Sequence, residues 1–212
     1  MSDTAAVALS EGEQRGDGRD AAWAAINTPL AEQELLSFCR EDVERLFRIN
    51  PYLEFRRWER LAEGRYAFSG RNISQQQPFD FEVELDVEET PDGLRVLYRG
   101  GLKSETIFQV DASSHGSKLT IHENYPSLDE GEQEQRLGEV DQSLTTWAGD
   151  IQKFLILWKR WSWLGPWRWY MRTVWQRMKP SGRRIAYMFW WITLVEIALI
   201  VLGAGIYLAE YS

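Results

Sequence analysis

The stretch from Phe79 to Arg99, FDFEVELDVEETPDGLRVLYR, decides the fold. Phe79, Phe81, Val83, Leu85 and Val87 alternate with Asp80, Glu82, Glu84 and Asp86. A period of two puts the apolar residues on one face of a strand and the acids on the other. Pro91-Asp92-Gly93 is a turn signal. Leu94, Val96 and Tyr98 then share one face of the next strand. Two strands joined by so tight a turn run antiparallel, with one face wet and one buried.

The pattern continues on both sides of this hairpin. Gly100-Gly101 breaks the second strand, and Leu102, Thr106, Phe108 and Val110 face one way in a third. Ser114-His115-Gly116-Ser117 is another turn. Leu119, Ile121, Glu123 and Tyr125 share a face in the last strand. Upstream, Leu53 to Leu61 and Arg65 to Ile73 fit two strands with noisier alternation. Ala22 to Asn27 is a short strand candidate. Thr28 followed by Pro29 predicts a helix start, with Thr28 as N-cap and Pro29 in the first position. Residues 29–39 and 41–49 read as two short helices, ended by Pro51. Downstream, Ser127 or Asp129 opens a long helix. Its apolar stripe is Leu137, Val140, Leu144, Trp147, Ile151, Phe154, Leu155 and Trp158, spaced to cover a sheet face.

The charge is split. Residues 1–150 hold 30 acidic and 15 basic residues, and residues 151–212 hold 2 acidic and 9 basic ones. Eight of the 11 tryptophans fall between Trp158 and Trp191, so a membrane partner is expected for the C-terminal part. Ile185 to Ala209 carries one charge, Glu196, and as a helix is about 37 Å long, enough to cross a bilayer. Arg172, Arg177, Lys179, Arg183 and Arg184 precede it. The positive-inside tendency then puts the N-terminal part in the cytoplasm and the C-terminus on the far side of the inner membrane, in a tail-anchored, single-pass protein. Residues 161–184, rich in Trp and Arg, fit a helix lying in the headgroup layer, beginning at Gly165-Pro166. An ordinary helix docked on the domain is the alternative.

Five segments follow: an acidic tail over 1–20 expected to be disordered, a folded domain over 21–160, the Trp/Arg-rich segment over 161–184, a transmembrane helix over 185–209 and a short tail over 210–212. One cysteine, Cys39, excludes an intramolecular disulfide and a Cys-based zinc site. Two histidines make a His-rich metal centre untenable. His115 falls in a turn and His122 points outward by alternation. No phosphate-binding Gly motif occurs, and no cofactor, metal or nucleic-acid partner is expected.

The order of strand, two short helices, curved antiparallel meander and long C-terminal helix resembles the helix-grip fold of the START-like superfamily, in its polyketide cyclase/dehydrase-type branch (SRPBCC). The residues that carry the resemblance are DVERLFRINPYLEFRRWE, ETIFQVDASSHGSKLTIHENY and LTTWAGDIQKFLILW, within roughly residues 21–160. The fold class is therefore α+β, followed by an interfacial amphipathic helix and one transmembrane helix. The resemblance implies a cavity between sheet and long helix that holds an apolar ligand such as a lipid, sterol, quinone or polyketide. It transfers no catalytic residue.

Candidate cavity residues are Arg57, Glu59, Phe81, Tyr98, Phe108, Glu123, Tyr125 and Trp147. Arg57 and Glu59 are included on the register that puts them beside Leu53 and Phe55. A buried ion pair of Arg57 with Glu123 or Glu59 is the structural alternative. Membrane-interface candidates are Trp158, Trp161, Trp163, Trp167, Arg168, Trp169, Arg172 and Trp175. Within the span, Thr193, Glu196, Gly205 and Ala209 are candidates for contact with another membrane protein or a second copy. Three functions fit: a membrane-anchored domain that binds or presents a lipid or isoprenoid quinone; a non-catalytic accessory or assembly subunit of a membrane complex; and, third, a cyclase/dehydratase-type enzyme.

Overall fold

The computed structural model describes residues 10–16, 19–74, 77–100, 103–125, 144–175 and 177–211. Eight strands form one antiparallel sheet: β1 (Ser10–Gly16), β2 (Arg19–Thr28), β3 (Leu53–Ala62), β4 (Arg65–Asn72), β5 (Phe79–Thr90), β6 (Gly93–Arg99), β7 (Glu105–Ser113) and β8 (Gly116–Asn124). Their order is β1-β2-β8-β7-β6-β5-β4-β3. Between β2 and β3 the chain makes α1 (Glu32–Glu41) and α2 (Val43–Ile49), which carry it from one end of the sheet towards the other. A long helix, α3 (Leu144–Trp161), closes the domain. This is the helix-grip arrangement of the α+β class.

The alternation of Phe79–Arg99 sets the register. Leu85 pairs with Tyr98 and Val87 with Val96, so the apolar residues of β5 and β6 share a face. Phe108 pairs with Ile121, and Val110 with Leu119, on that same face. Leu35, Leu36, Phe38, Cys39, Leu46 and Phe47 from α1 and α2 pack onto it, with Leu144, Trp147, Ala148, Ile151, Phe154 and Leu155 from α3. Desolvation of the fully buried Cys39 pushes its thiol up to about 12, as suits a core filler and not a nucleophile.

The structure departs from the sequence expectations at four places. Thr28 does not cap a helix: β2 runs on through it, and its hydroxyl lies 2.9 Å from that of Ser117 across the β2–β8 pair. Helix α1 starts later, at Glu32, where Glu34 accepts a hydrogen bond from the Ala31 N–H. Ser10–Gly16, expected to be tail, pairs with β2 as an edge strand. In β3 the register shifts between Phe55 and Arg57, so the next inward residue is Trp58. The predicted helix start at Ser127 or Asp129, and Leu102, Leu137 and Val140, lie outside the described residues.

Beyond α3 come α4 (Gly165–Tyr170), with Pro166 in its first turn, and a π-helical turn, Met171–Trp175. The chain divides into two compact units, the second beginning at Arg177. That second unit is one helix, α5 (Pro180–Tyr211). Its Ser181–Glu210 portion is long and apolar enough to cross a membrane. At about 100° per residue, Thr193 lies about 60° from Glu196, whereas Gly205 lies about 180° from it and Ala209 about 140°. Thr193 and Glu196 therefore lie on one face of α5, and Gly205 and Ala209 on the opposite side.

A candidate ligand cavity with an aromatic wall and a charged end

A cavity of about 120 Å³ opens within the first unit. Its wall is aromatic because four inward strand positions and two helices each supply a ring. Phe68 comes from β4, Phe79 and Phe81 from β5, Tyr98 from β6, Phe47 from α2 and Trp147 from α3. Phe47 is the hub, with ring centroids 5.7 Å from Phe68, 6.4 Å from Tyr98 and 5.6 Å from Trp147. Trp147 is held by its indole N–H, which donates to the Leu46 carbonyl at 2.8 Å, and its ring meets Phe108 edge-on at 5.6 Å. Leu53, Val83 and Gly100 complete the apolar lining.

The polar groups cluster near the β6–β7 connection and the end of β8. Lys103 lines the cavity, and its ammonium donates to Glu123 Oε1 at 2.6 Å. Glu123 is fully buried, and its second oxygen accepts from the Tyr125 hydroxyl at 2.9 Å. The Tyr98 hydroxyl lies 2.9 Å from that of the fully buried Thr106. Asn50 and Asn72 also line the cavity, and each side-chain oxygen accepts a backbone N–H, from Tyr52 and Ser74. A buried carboxylate is tolerable only with such compensation.

Of the predicted cavity residues, Phe81, Tyr98, Tyr125 and Trp147 line the cavity and Glu123 stands directly behind it. Phe108 sits one layer deeper, in the core. Arg57 and Glu59 do not reach it. The shift in β3 turns them outward, where they pair with each other at 63% and 44% side-chain exposure. Glu123 is accordingly paired with Lys103 and not with Arg57. Lys103 escapes sequence reasoning because it follows a Gly-Gly break, where alternation cannot say which way a side chain points. Phe47 and Phe68 are legible only as core residues. Among the described residues no cluster of His, Cys, Asp or Glu could hold a metal. His115 is exposed, and His122 lies on the outer face, between Trp23 and Ile107 in the register.

The membrane-interface candidates divide into two sets. Met171 is buried, and Trp158, Trp167, Tyr170 and Trp175 pack against the core. Trp175 lies 5.2 Å from Phe154, and the Arg172 guanidinium sits 5.3 Å over the Trp158 ring. These rings pack on the domain. Trp163 and Trp169 are 73% and 62% exposed, Trp161 is 37% exposed, and Arg168 and Arg172 are exposed beside them.

No protein-family model matches the chain, and no curated protein matches it. Solved structures of similar fold exist. A STAR-related lipid transfer protein from Xanthomonas axonopodis is 11% identical, aligned over 69% of this chain and 98% of that one, with a TM-score of 0.41. A polyketide cyclase-like protein from Corynebacterium glutamicum is 12% identical over 64% and 90% of the two chains, with a TM-score of 0.37. The lipid transfer and protein localization domain of human StarD13 is 14% identical over 70% and 89%, with a TM-score of 0.39. These are likenesses of fold.

Proposed function

We propose that this protein is a membrane-anchored binding domain that takes up or presents an apolar ligand, a lipid or isoprenoid quinone, at the cytoplasmic face of a membrane. The observation that carries this is the cavity, with its apolar aromatic wall and its few convergent polar groups, Lys103 and Tyr98 among them. The anchoring half rests on α5, an apolar helix with a basic segment before it in the chain. The exposed Trp163 and Trp169, with Arg168 and Arg172, suit the headgroup layer of anionic lipid. Tethering a binding domain to the membrane raises its local concentration of membrane-soluble ligand and shortens transfer.

The second reading is a non-catalytic accessory subunit, and Glu196 favours it. An ionisable group within an apolar span calls for a partner. Native mass spectrometry of the full-length protein, extracted in mild detergent from its own membranes, tests both. A retained apolar molecule without other proteins supports the binding role. Stoichiometric membrane proteins with an empty domain would replace it with the subunit role.

A further inference from the structure

We propose that the outer face of α3 changes from water to lipid halfway along, so that its C-terminal half, continued by α4, docks on an anionic bilayer surface. This rests on the membrane-anchored role proposed above and names the surface that docks. The face changes character along one side of the helix. Its first half offers Thr146, Asp150 and Lys153, and Asp150 accepts from the Lys153 ammonium at 2.9 Å. Its second half, on the same side at about 100° per residue, offers Ile156, Leu157, Arg160 and Trp161. Ile156, Leu157 and Trp161 are exposed, although Phe154 and Leu155 beside them are buried.

Charge selects lipid as the occupant. Residues 151–184 contain no acid. Lys153 and Lys159 pair with Asp150 and Glu34. Arg160, Arg168 and Arg172 are exposed and, among the described residues, meet no carboxylate. The Arg160 guanidinium lies 5.6 Å over the Trp161 ring, whose centroid is 6.4 Å from that of Trp167 in α4. The apolar and basic surface thus continues from α3 to the exposed Arg168 and Trp169. Guanidinium groups beside exposed rings and aliphatic side chains match phosphates above an acyl boundary. A second copy would bring the same unpaired cations against them, and like charges repel.

The chain keeps this surface near the membrane. Nine residues separate Arg172 from Ser181, where the apolar stretch begins, and they span at most about 32 Å. Trp147, which lines the cavity, precedes Trp161 by fourteen residues, or about 21 Å of helix. Docking by the second half of α3 therefore leaves the half that bounds the cavity clear of the headgroups.

The test compares Leu157→Cys with Thr146→Cys, which lie about 20° apart around the helix and about 16 Å apart along it. Each full-length variant carries a fluorophore at the new thiol, while the buried Cys39 stays unlabelled. The protein is reconstituted into vesicles of phosphatidylcholine and phosphatidylglycerol, with lipids brominated along the acyl chain as quenchers. The label at 157 should be quenched several times more strongly than the label at 146. Arg160→Gln combined with Arg168→Gln should lower the ratio of docked to free domain about thirtyfold, since each base near an anionic surface is worth roughly fivefold. Equal quenching at 146 and 157 overturns the division of the face. Quenching at 157 that ignores both the arginines and phosphatidylglycerol overturns the charge match. Cross-linking of unlabelled Leu157→Cys between copies, with no quenching of the label, gives the face to a second copy and overturns the bilayer. A label at Ile200→Cys, inside α5, separates the two proposals. Quenching at 200 and not at 157 overturns the docking surface and leaves the anchor standing. No quenching at 200 overturns the anchor as well. If Leu157→Cys does not fold, Ile156→Cys on the same face takes its place.

Discussion

The Lys103 ammonium lies 2.6 Å from Glu123 Oε1, a carboxylate with no exposed surface, while the Lys103 side chain keeps 15% of its own. The pair therefore straddles the boundary between cavity and core. Removing Lys103 takes a charged partner from a fully buried carboxylate, and breaking a buried pair in this way costs about 3–5 kcal/mol. Lys103→Met should destabilise the domain by that amount, and adding Glu123→Gln should recover most of it. Urea unfolding of the two single variants and the double variant measures the coupling directly. Additive losses would show that Glu123 depends on other partners.

Two glycines should respond to the same substitution with opposite signs. Gly93 opens β6 after the Pro91-Asp92 turn, and a Cβ there would lie 1.8 Å from the Phe108 carbonyl oxygen. Backbone faces it on the neighbouring strand, so the strand pair itself must move. Gly93→Ala should cost about 3 kcal/mol, the upper range for forced shifts in a packed region. Gly149, within α3, has nothing within 4 Å of a built Cβ. Gly149→Ala should stabilise by up to about 1 kcal/mol. Thermal melts of the two variants beside the wild type check both signs.

The meander was legible because β5 to β8 bury one face and wet the other, so period two survives in the residues. The same rule failed in β3. A bulge adds one residue, and every later side chain changes face. Arg57 and Glu59 thus turned outward and Trp58 turned to the core, with no local sign in the sequence. The edge strand Ser10–Gly16, SEGEQRG, carries no apolar residue, so only pairing to β2 defines it. The segment after α3 was ambiguous for a physical reason. A stripe of Trp167, Tyr170 and Met171 can bury equally well in lipid or in the protein's own core. Helical spacing alone does not choose, and the structure gives that stripe to the core. The aromatic half of the cavity was partly visible as inward-facing Phe81, Tyr98 and Trp147. Of its charged half, Glu123 was visible with Arg57 as the expected cation, because Lys103 sits in a connection.

His122 should make stability depend on pH in one direction. Burial on the outer face, and then the nearby Lys118, hold its imidazole below the ordinary value of 6.5, with Asp111 opposing. The unfolded chain therefore binds a proton more readily than the folded one as pH falls below about 6.5. By linkage, this contribution is full above that pH and is lost as pH drops through it towards the folded value. The urea midpoint of the wild type should fall more between pH 7.5 and 5.5 than that of His122→Gln. Equal falls would show that other groups carry the dependence.

The proposed headgroup contact can be separated from the fold, because the two sets of tryptophans are distinct. Trp163 is 73% exposed, whereas Met171, eight positions on, is 2% exposed. Trp163→Cys should change stability by no more than about 0.5 kcal/mol, as at other exposed positions, while Met171→Ala should cost about 2–5 kcal/mol. The new thiol can be labelled selectively, since Cys39 is fully buried and its thiol is pushed up to about 12. In full-length protein reconstituted into vesicles, an environment-sensitive fluorophore at position 163 should shift to the blue as anionic lipid is added. The shift should shrink at high salt, where the screening length falls from about 8 Å to about 3 Å. The same label at Ser113→Cys, at the exposed end of β7, should not respond. Equal behaviour at both positions, or no effect of anionic lipid at 163, would remove the headgroup role from the exposed tryptophans.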